Sequence, residues 1–426
     1  MHPSGIARRG RGATGAVGAQ LAQALASLVL SIAAARSLGA DGLGIFGLIS
    51  GGLVLATAIA TGLVGDSLTV LDRSMLRLRA GLQIVGFSCA LVAGIGGGAL
   101  CWATGLLGWQ ASVMFGLGST AFILEEFLRR LLMASLRFWS VMVVDLTCLA
   151  ATVCWLSFAA VFGALDMFQI LLALLVSQIV AMLVAVRLLP HSELELTPWR
   201  FGDVTAVLQF GGWRAAQQAV RPAMLTAMRI LVVIAAGTVA FGELEAARVY
   251  AAPTLLIVNG IGGYLFATYA NKKKEPLAAL VHHADMGALM LFLSVLLAGI
   301  TAAALLPWAG GIVTGAKFSI DAVAVFGWVL YAAAAGLLMP YGTLAAVTGL
   351  HVTVFALRLV ETAVSLTAVA FVVFTLRASA SWVPLAMAVG TVALSVVIRQ
   401  RVLIPQARTA PESYEDVPTS AGAFTR

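Results

Sequence analysis

The sequence predicts an all-α polytopic membrane protein of about twelve transmembrane helices, arranged as two parallel six-helix halves around a central cavity. Three observations predict it. First, 61% of the 426 residues are hydrophobic and 11% are charged, with a mean hydropathy of +1.00. A water-soluble domain carries about a quarter charged residues to keep its surface wet, whereas lipid-facing helices can be apolar all round. Second, no Asp, Glu, Lys or Arg occurs between Ala80 and Leu124. At about 20 residues per crossing that run suits two spans, turned near Gly105–Trp109. The apolar runs are continuous and do not alternate as barrel strands would. Third, the layout of one long stretch recurs about 200 residues later, as a duplicated half would.

Taken in chain order, the spans fall at 14–36, 42–65, 81–104, 109–132, 139–162, 167–189, 211–236, 247–269, 286–308, 321–344, 352–375 and 381–403. The first is too long and too evenly apolar for a signal-peptide core and reads as an uncleaved anchor. These spans divide the chain into a cytoplasmic N-terminus (1–13), a first six-helix half (14–189), a cytoplasmic linker (190–210), a second half (211–403) and a tail (404–426). The tail is rich in Pro, Ser, Thr and charge and reads as disordered. Cys89, Cys101, Cys148 and Cys154 all lie in apolar runs, as small hydrophobic fillers without CxxC spacing.

The net charge of +7 is a topology signal and calls for no nucleic acid. With both termini in the cytoplasm, the inner loops collect Arg8, Arg9, Arg11, Arg73, Arg77, Arg79, Arg129, Arg130, Arg137, Arg187, Arg200, Lys272–Lys274, Arg399, Arg401 and Arg408. Little beyond Arg36, Lys317 and Arg377 is left outside, as the positive-inside rule requires of a plasma-membrane protein. The repeat lies in Ala33–Arg73 and Ala235–Lys274. Each reads as a helix end, a short outer turn (Leu38–Gly44; Phe241–Glu245), a helix and a basic inner loop.

The seventh span holds charges a membrane should not. Arg214, Arg221 and Arg229 are spaced by seven and eight residues, which at about 100° per residue puts them within an arc of roughly 80°, with Gln218 on the same face. From a helix end near Gly237 they lie about 35, 24 and 12 Å deep. An arginine at the bilayer centre costs at least about 2.5–3.5 kcal/mol, so this face needs water, acidic partners or an anionic substrate. Guanidinium groups suit a diphosphate, since they stay charged and bind two oxygens at once. Pro222 allows a kink beside Arg221. For Arg214 an equal alternative is a helix start lying on the inner surface against lipid phosphates, a reading that Arg221 fits less well and Arg229 poorly.

Other polar residues carry smaller expectations. Glu125 with Arg129 and Glu126 with Arg130 have i,i+4 spacing, as a salt-bridged helix end. Asp145 reads as a partner for an arginine or as a proton acceptor. Arg358 and Glu361 read as a mutual neutralisation, with Glu361 a second candidate for coupling. Gln20, Gln23, Asn259 and Tyr341 read as helix–helix contacts or as contacts to sugar hydroxyls. Gly94–Gly98 reads as loose packing or a bend. Gly311–Lys317 is not a phosphate loop, because its lysine stands one place late. No metal-ligand cluster, cofactor motif or Ser/His/Asp constellation is present, so the sequence points away from an enzyme.

Arg36-Ser-Leu-Gly-Ala-Asp-Gly-Leu-Gly-Ile-Phe-Gly resembles the A-R-x-L-G-x-x-x-(F/Y)-G signature between the first two helices of polysaccharide-export flippases. These belong to the multidrug/oligosaccharidyl-lipid/polysaccharide exporter superfamily. Glu126–Arg137 followed by Asp145, and Gly242–Pro253 with Asn259-Gly260, are similar to high-alanine members, so the resemblance covers mainly residues 14–275. It implies a two-lobed bundle that alternates between inward- and outward-open forms and moves a polyprenyl-diphosphate-linked oligosaccharide outward. It also implies work alongside a polymerase or glycosyltransferase of the same pathway. Lipid-linked peptidoglycan-precursor flippases are similar in using cavity arginines, although they carry two more helices. Cation-coupled drug exporters of the superfamily commonly have an acid in the first span, which this chain lacks.

Overall fold

The computed structural model describes residues 3–271 and 275–409. All regular structure in the described residues is helical: α1 (Pro3–Ala60), α2 (Asp66–Val70), α3 (Leu76–Ala103), α4 (Trp109–Ala134), α5 (Phe138–Phe162), α6 (Met167–Leu188), α7 (His191–Leu194), α8 (Val204–Asn271), α9 (Leu277–Thr314), α10 (Ala322–Val347), α11 (His351–Ala370), α12 (Val383–Val397) and α13 (Ile404–Thr409), with short 3-10 and wide turns between them. Ten of the described helices are long and apolar enough to cross a membrane.

Two of the ten are too long to cross only once. At 58 and 68 residues, α1 and α8 would measure about 87 and 102 Å unbroken, against a hydrocarbon core of about 30 Å. Each is broken by one glycine, Gly39 at φ 73°, ψ −167° and Gly237 at φ 85°, ψ 171°. That region of backbone space is closed to residues with a Cβ, so glycine places each break. Counting two arms for each gives the twelve crossings expected. The breaks are 198 residues apart, and the same offset pairs Leu43 with Phe241, Phe46 with Leu244 and Leu30 with Met228, all six buried. The duplication is therefore structural.

The breaks are tighter than the sequence suggested. Only Gly39 leaves the helix within Leu38–Gly44, and Phe241–Glu245 lies wholly inside α8. In the sequence layout Phe241–Glu245 reads as an outer turn by analogy with Leu38–Gly44. Glu245, however, is neutralised from within the helix by Arg248, three residues on. Helix α9 starts at Leu277, well before the expected 286. Helix α13 carries the chain to Thr409, where a disordered tail was expected from 404. Residues 410–426 and Lys272–Lys274 lie outside the described residues.

The chain packs as two units. The first comprises residues up to Tyr250 with Leu305–Ala322 and Val373–Ala380; the second comprises Ala251–Ala304, Val323–Val372 and residues from Ser381 on. In the first unit α1 packs on α5, α3 on α4, and α6 on both α4 and α5. One buried cluster gathers Leu30, Leu43, Phe46, Phe115, Ile170 and Leu174. A second gathers Val64, Leu82, Leu132, Val141, Ala181 and Val207. Gly94 and Gly98, expected to pack loosely, face Gly116 and Ser112 so closely that a Cβ would stand 2.6 Å from Gly116 O and 2.9 Å from Ser112 O. Small residues let membrane helices approach in this way. In the second unit α9 and α10 bury Val281, Ala284, Leu291, Leu338 and Leu344 together.

The linker is fastened to α3 and to the turn that precedes it. Arg73 pairs with Glu193 at 3.0 Å. Both ends of the Gln83 amide are engaged, donating to Glu195 O at 2.9 Å and accepting from Thr197 N at 3.1 Å. Trp199 packs against Phe87 with the rings tilted and their centroids 5.7 Å apart, and Asp203 N donates to Arg77 O at 3.0 Å.

Candidate functional site

The first arm of α8 lies along the second arm of α1, and this pairing positions the arginine face. Near its start, Gly211 and Gly62 sit so close to the opposing backbone that a Cβ on Gly211 would stand 2.8 Å from Leu63 Cα. Arg214 and Gln218 are exposed and Arg221 is half-buried. Gln218 Nε2 donates to Asp66 Oδ2 at 3.2 Å, which puts one carboxylate beside the face. Arg221 is itself engaged in a polar interaction.

Arg229 stands apart from this group. It is 7% exposed, with Nη1 donating to Gly47 O at 2.7 Å and Nη2 3.9 Å from Glu245 Oε1. Glu245 is gripped by Arg248 through Nε at 2.9 Å and Nη2 at 2.6 Å. Gly51 makes room for the guanidinium, since a Cβ there would stand 3.0 Å from Arg229 Cζ. The ladder expected from sequence thus divides. Arg214, Gln218 and Arg221 form an accessible face, and Arg229 is withdrawn against the buried Glu245, which the partly exposed Arg248 also holds. Breaking such a network from one side costs about 3–5 kcal/mol, because it strands a buried charge.

A second polar cluster lies on α4 and α5. Arg129 Nε bridges both oxygens of Asp145 at 3.0 and 3.1 Å, and its Nη1 donates to Glu126 at 3.2 Å. Arg130 Nε also donates to Glu126, at 2.6 Å. Asp145 therefore takes the partner role. The two i,i+4 pairs expected are only half realised. Glu126 takes both arginines, while Glu125, 4% exposed, keeps Oε1 without a partner. Three carboxylates face two guanidinium groups. Beside them is a small, partly open pocket lined by Thr61, Gly65, Gly86, Glu126, Phe127 and Arg130.

In the second unit Glu361 accepts from Thr391 Oγ1 at 2.7 Å and lies 3.6 Å from Arg358, the neutralisation expected. Tyr341, a candidate sugar contact, donates to Asp285 at 2.8 Å, and Asp285 is held by Arg399 Nε at 2.7 Å and Nη2 at 2.8 Å. Gln20 is exposed and Gln23 half-buried on α1; the side chain of Asn259 lies outside the described residues. No three His, Cys, Asp or Glu converge as metal ligands among the described residues. Sequence reasoning passed over Arg248, Asp66 and the Asp285–Arg399 pair. The i,i+3 spacing of Glu245 and Arg248 was a usable signal, hidden by assigning Glu245 to a turn.

No protein-family profile matches the chain, and no curated protein matches its sequence. Solved structures do match its fold. An inward-facing multidrug-resistance MATE transporter of the MOP superfamily aligns at TM-score 0.72 and 14% identity, over 91% of this chain and 96% of that one. The fold is that of the MATE transporters. An outward-facing MATE structure aligns at TM-score 0.61 and 14% identity, covering 93% and 94%. A MOP-superfamily transporter from Pyrococcus furiosus, described as having a binding pocket of reversed polarity that suggests a different function, aligns at 0.60 and 14%, covering 93% and 95%. The superfamily resemblance read from sequence therefore holds for the fold, and the chain is a multi-pass membrane protein.

Proposed function

We propose that this protein is an alternating-access flippase that carries a polyprenyl-diphosphate-linked oligosaccharide outward across the cytoplasmic membrane. One observation carries the reading. Arg214, Gln218 and Arg221 occupy successive turns of one membrane helix and stay accessible or half-accessible, with the Asp66 carboxylate bonded to Gln218. In the same unit, Arg129 and Arg229 are buried against carboxylates. An accessible arginine pair within a span suits a divalent oxyanion head group, which the planar forks would bind through several oxygens at once. Arg229 contributes to the architecture of this site and makes no direct contact with the diphosphate.

The test is the lipid-linked oligosaccharide pool in a deletion strain. Build-up in the cytoplasmic leaflet, relieved by the parent protein and not by Arg214→Ala/Arg221→Ala at equal membrane abundance, supports the reading. An unchanged pool refutes it.

One observation favours a second reading, a cation-coupled exporter of drug-like cations. The α4–α5 cluster has one carboxylate more than it has guanidinium groups, and Glu125 Oε1 is buried without a partner, so the cluster has room for one exchangeable positive charge. Increased drug susceptibility of the deletion strain, restored by the parent and not by Glu125→Gln, would favour it.

A further inference from the structure

The boundary between the two packing units does not fall in the linker between the duplicated halves, and the reason is visible in the contacts. From Glu193 to Asp203 the linker is bonded or packed on α3 and the turn before it at five places: Glu193 on Arg73 of that turn, and Glu195, Thr197, Trp199 and Asp203 on α3. A hinge needs slack backbone, and this strap has none. The seventh span is then held to the first half over its whole length. Backbone meets backbone at Gly62 and Gly211, and Thr226 Oγ1 donates to Gly51 O at 3.1 Å. Arg229 donates to Gly47 O at 2.7 Å, and Thr238 bonds Asp41. At the far end Gly44 and Gly242, again 198 apart, cross reciprocally. A Cβ on Gly44 would overlap Thr238 O and stand 3.2 Å from Gly242 N; one on Gly242 would overlap Ala40 O and stand 3.0 Å from Gly44 N.

The places where the chain does pass from one unit to the other lie at helix starts, at irregular turns or beside prolines. The first is Tyr250–Ala251, where Pro253 cannot bond Val249 O. The second is Ala304–Leu305, where Pro307 cannot bond Ala303 O. A proline in mid-helix removes the i→i−4 bond and weakens the helix one turn back. The third, Ala322–Val323, is the first turn of α10. The fourth, Val372–Val373, lies in the wide turn Phe371–Thr375 that ends α11. The fifth, Ala380–Ser381, lies in a single 3-10 turn. Wide turns and proline gaps are the usual sites of bending in helices.

We infer that these five crossings are the joints of the transport cycle, and that the seventh span, with the start of the eighth up to Tyr250, travels with the first six helices as one body. The inference rests on the alternating-access reading for its purpose and not for its test. The chemistry agrees with the division: Arg229, Glu245 and Arg248 all lie in the first unit, so no buried charge is stranded when the units move.

The test is a pair of spin-label distances in nanodiscs, with no substrate added and with Cys89, Cys101, Cys148 and Cys154 replaced by alanine or serine. Labels at the exposed positions Phe158 and Ile234 report the seventh span against α5. Labels at Phe158 and Leu289, also exposed, report the first unit against the second. The expected result is one narrow distance for Phe158–Ile234 and two populations for Phe158–Leu289. Pro253→Ala/Pro307→Ala, which restores both helix bonds and raises helix propensity, should shift the populations of the second pair at least fivefold and leave the first unchanged. Two populations for Phe158–Ile234, or a Phe158–Leu289 distribution that the proline replacements do not move, would overturn the inference. A protein that shows the expected distances and flips no lipid-linked oligosaccharide refutes the functional reading alone.

Discussion

Replacing Arg129 by Gln should destabilise the first unit far more than replacing Glu125 by Gln, although the two residues are one helical turn apart and similarly buried. Arg129 compensates two carboxylates at once, Asp145 at 3.0 and 3.1 Å and Glu126 at 3.2 Å, with its side chain 5% exposed. Removing it leaves three buried carboxylates with Arg130 as the one remaining cation of the cluster. Loss of one partner of a buried pair costs about 3–5 kcal/mol, since the surviving charge is neither solvated nor paired. Glu125 is the opposite case. Its Oε1 has no partner, and an amide there removes the surplus negative charge. The expected change is within about 1 kcal/mol of zero, in either direction. At about 2 °C per kcal/mol for a unit of this size, Arg129→Gln should lower the melting temperature by roughly 6–10 °C. Thermal unfolding in one detergent at fixed pH, followed by size-exclusion fluorescence, measures both. Equal losses for the two variants would refute the charge accounting, and so would an Arg129→Gln protein that melts within 2 °C or so of the parent.

Three further outcomes follow from other parts of the molecule. Gly237→Ala and Gly39→Ala should each cost on the order of 1–2 kcal/mol, because alanine is strained at φ 85° and 73°; Gly163→Ala, at an extended φ of −177°, should leave the melting temperature unchanged. Glu245→Gln should destabilise by about 3–5 kcal/mol by stranding the buried Arg229, while Arg248, 28% exposed, stays hydrated; Glu245→Gln/Arg229→Gln should recover part of that loss, a coupling read by a double-mutant cycle of melting temperatures. Asp285→Asn should cost only about 1 kcal/mol or less in the same assay. The Asp285 and Arg399 side chains are 29% and 35% exposed, and solvent screens such pairs.

The spans were legible because bilayer thickness acts on composition directly. The turn near Gly105 is one example: the only cue was an apolar run too long for one crossing, and the chain does turn there, with Gly105 at φ 71°. Orientation of the charged side chains was less legible. Arg214, Arg221 and Arg229 share a helix face by angle alone, and angle cannot say what lies opposite. Opposite Arg229 stand the bare carbonyl of Gly47 and the gap left by Gly51, about 180 residues away in sequence. The same blindness hid Asp285–Arg399, separated by 114 residues. At Glu245 the error had another source. Phe241–Glu245 reads as an outer turn from the repeated layout, whereas a cation three residues further on allows Glu245 to be buried within the helix.

If the seventh span travels with the first six helices, the position of the arginine face acquires a mechanical meaning. Arg214, Gln218 and Arg221 are then fixed relative to Asp66 on α2, because all four lie in the first unit. An anionic head group bound there would meet the same donors throughout the cycle, and the change between inward and outward access would come from the second unit moving about a site that does not itself rearrange. Such an arrangement separates two demands that conflict when a site is split evenly between moving halves. Charge-assisted bonds need fixed geometry, and access needs motion. The duplication supplies two similar halves, and the distribution of glycine and charge removes their equivalence. At the same register one repeat carries Gly47 and the other Glu245. The first repeat gives the carbonyl acceptors and the space, and the second gives the charged groups that fill it.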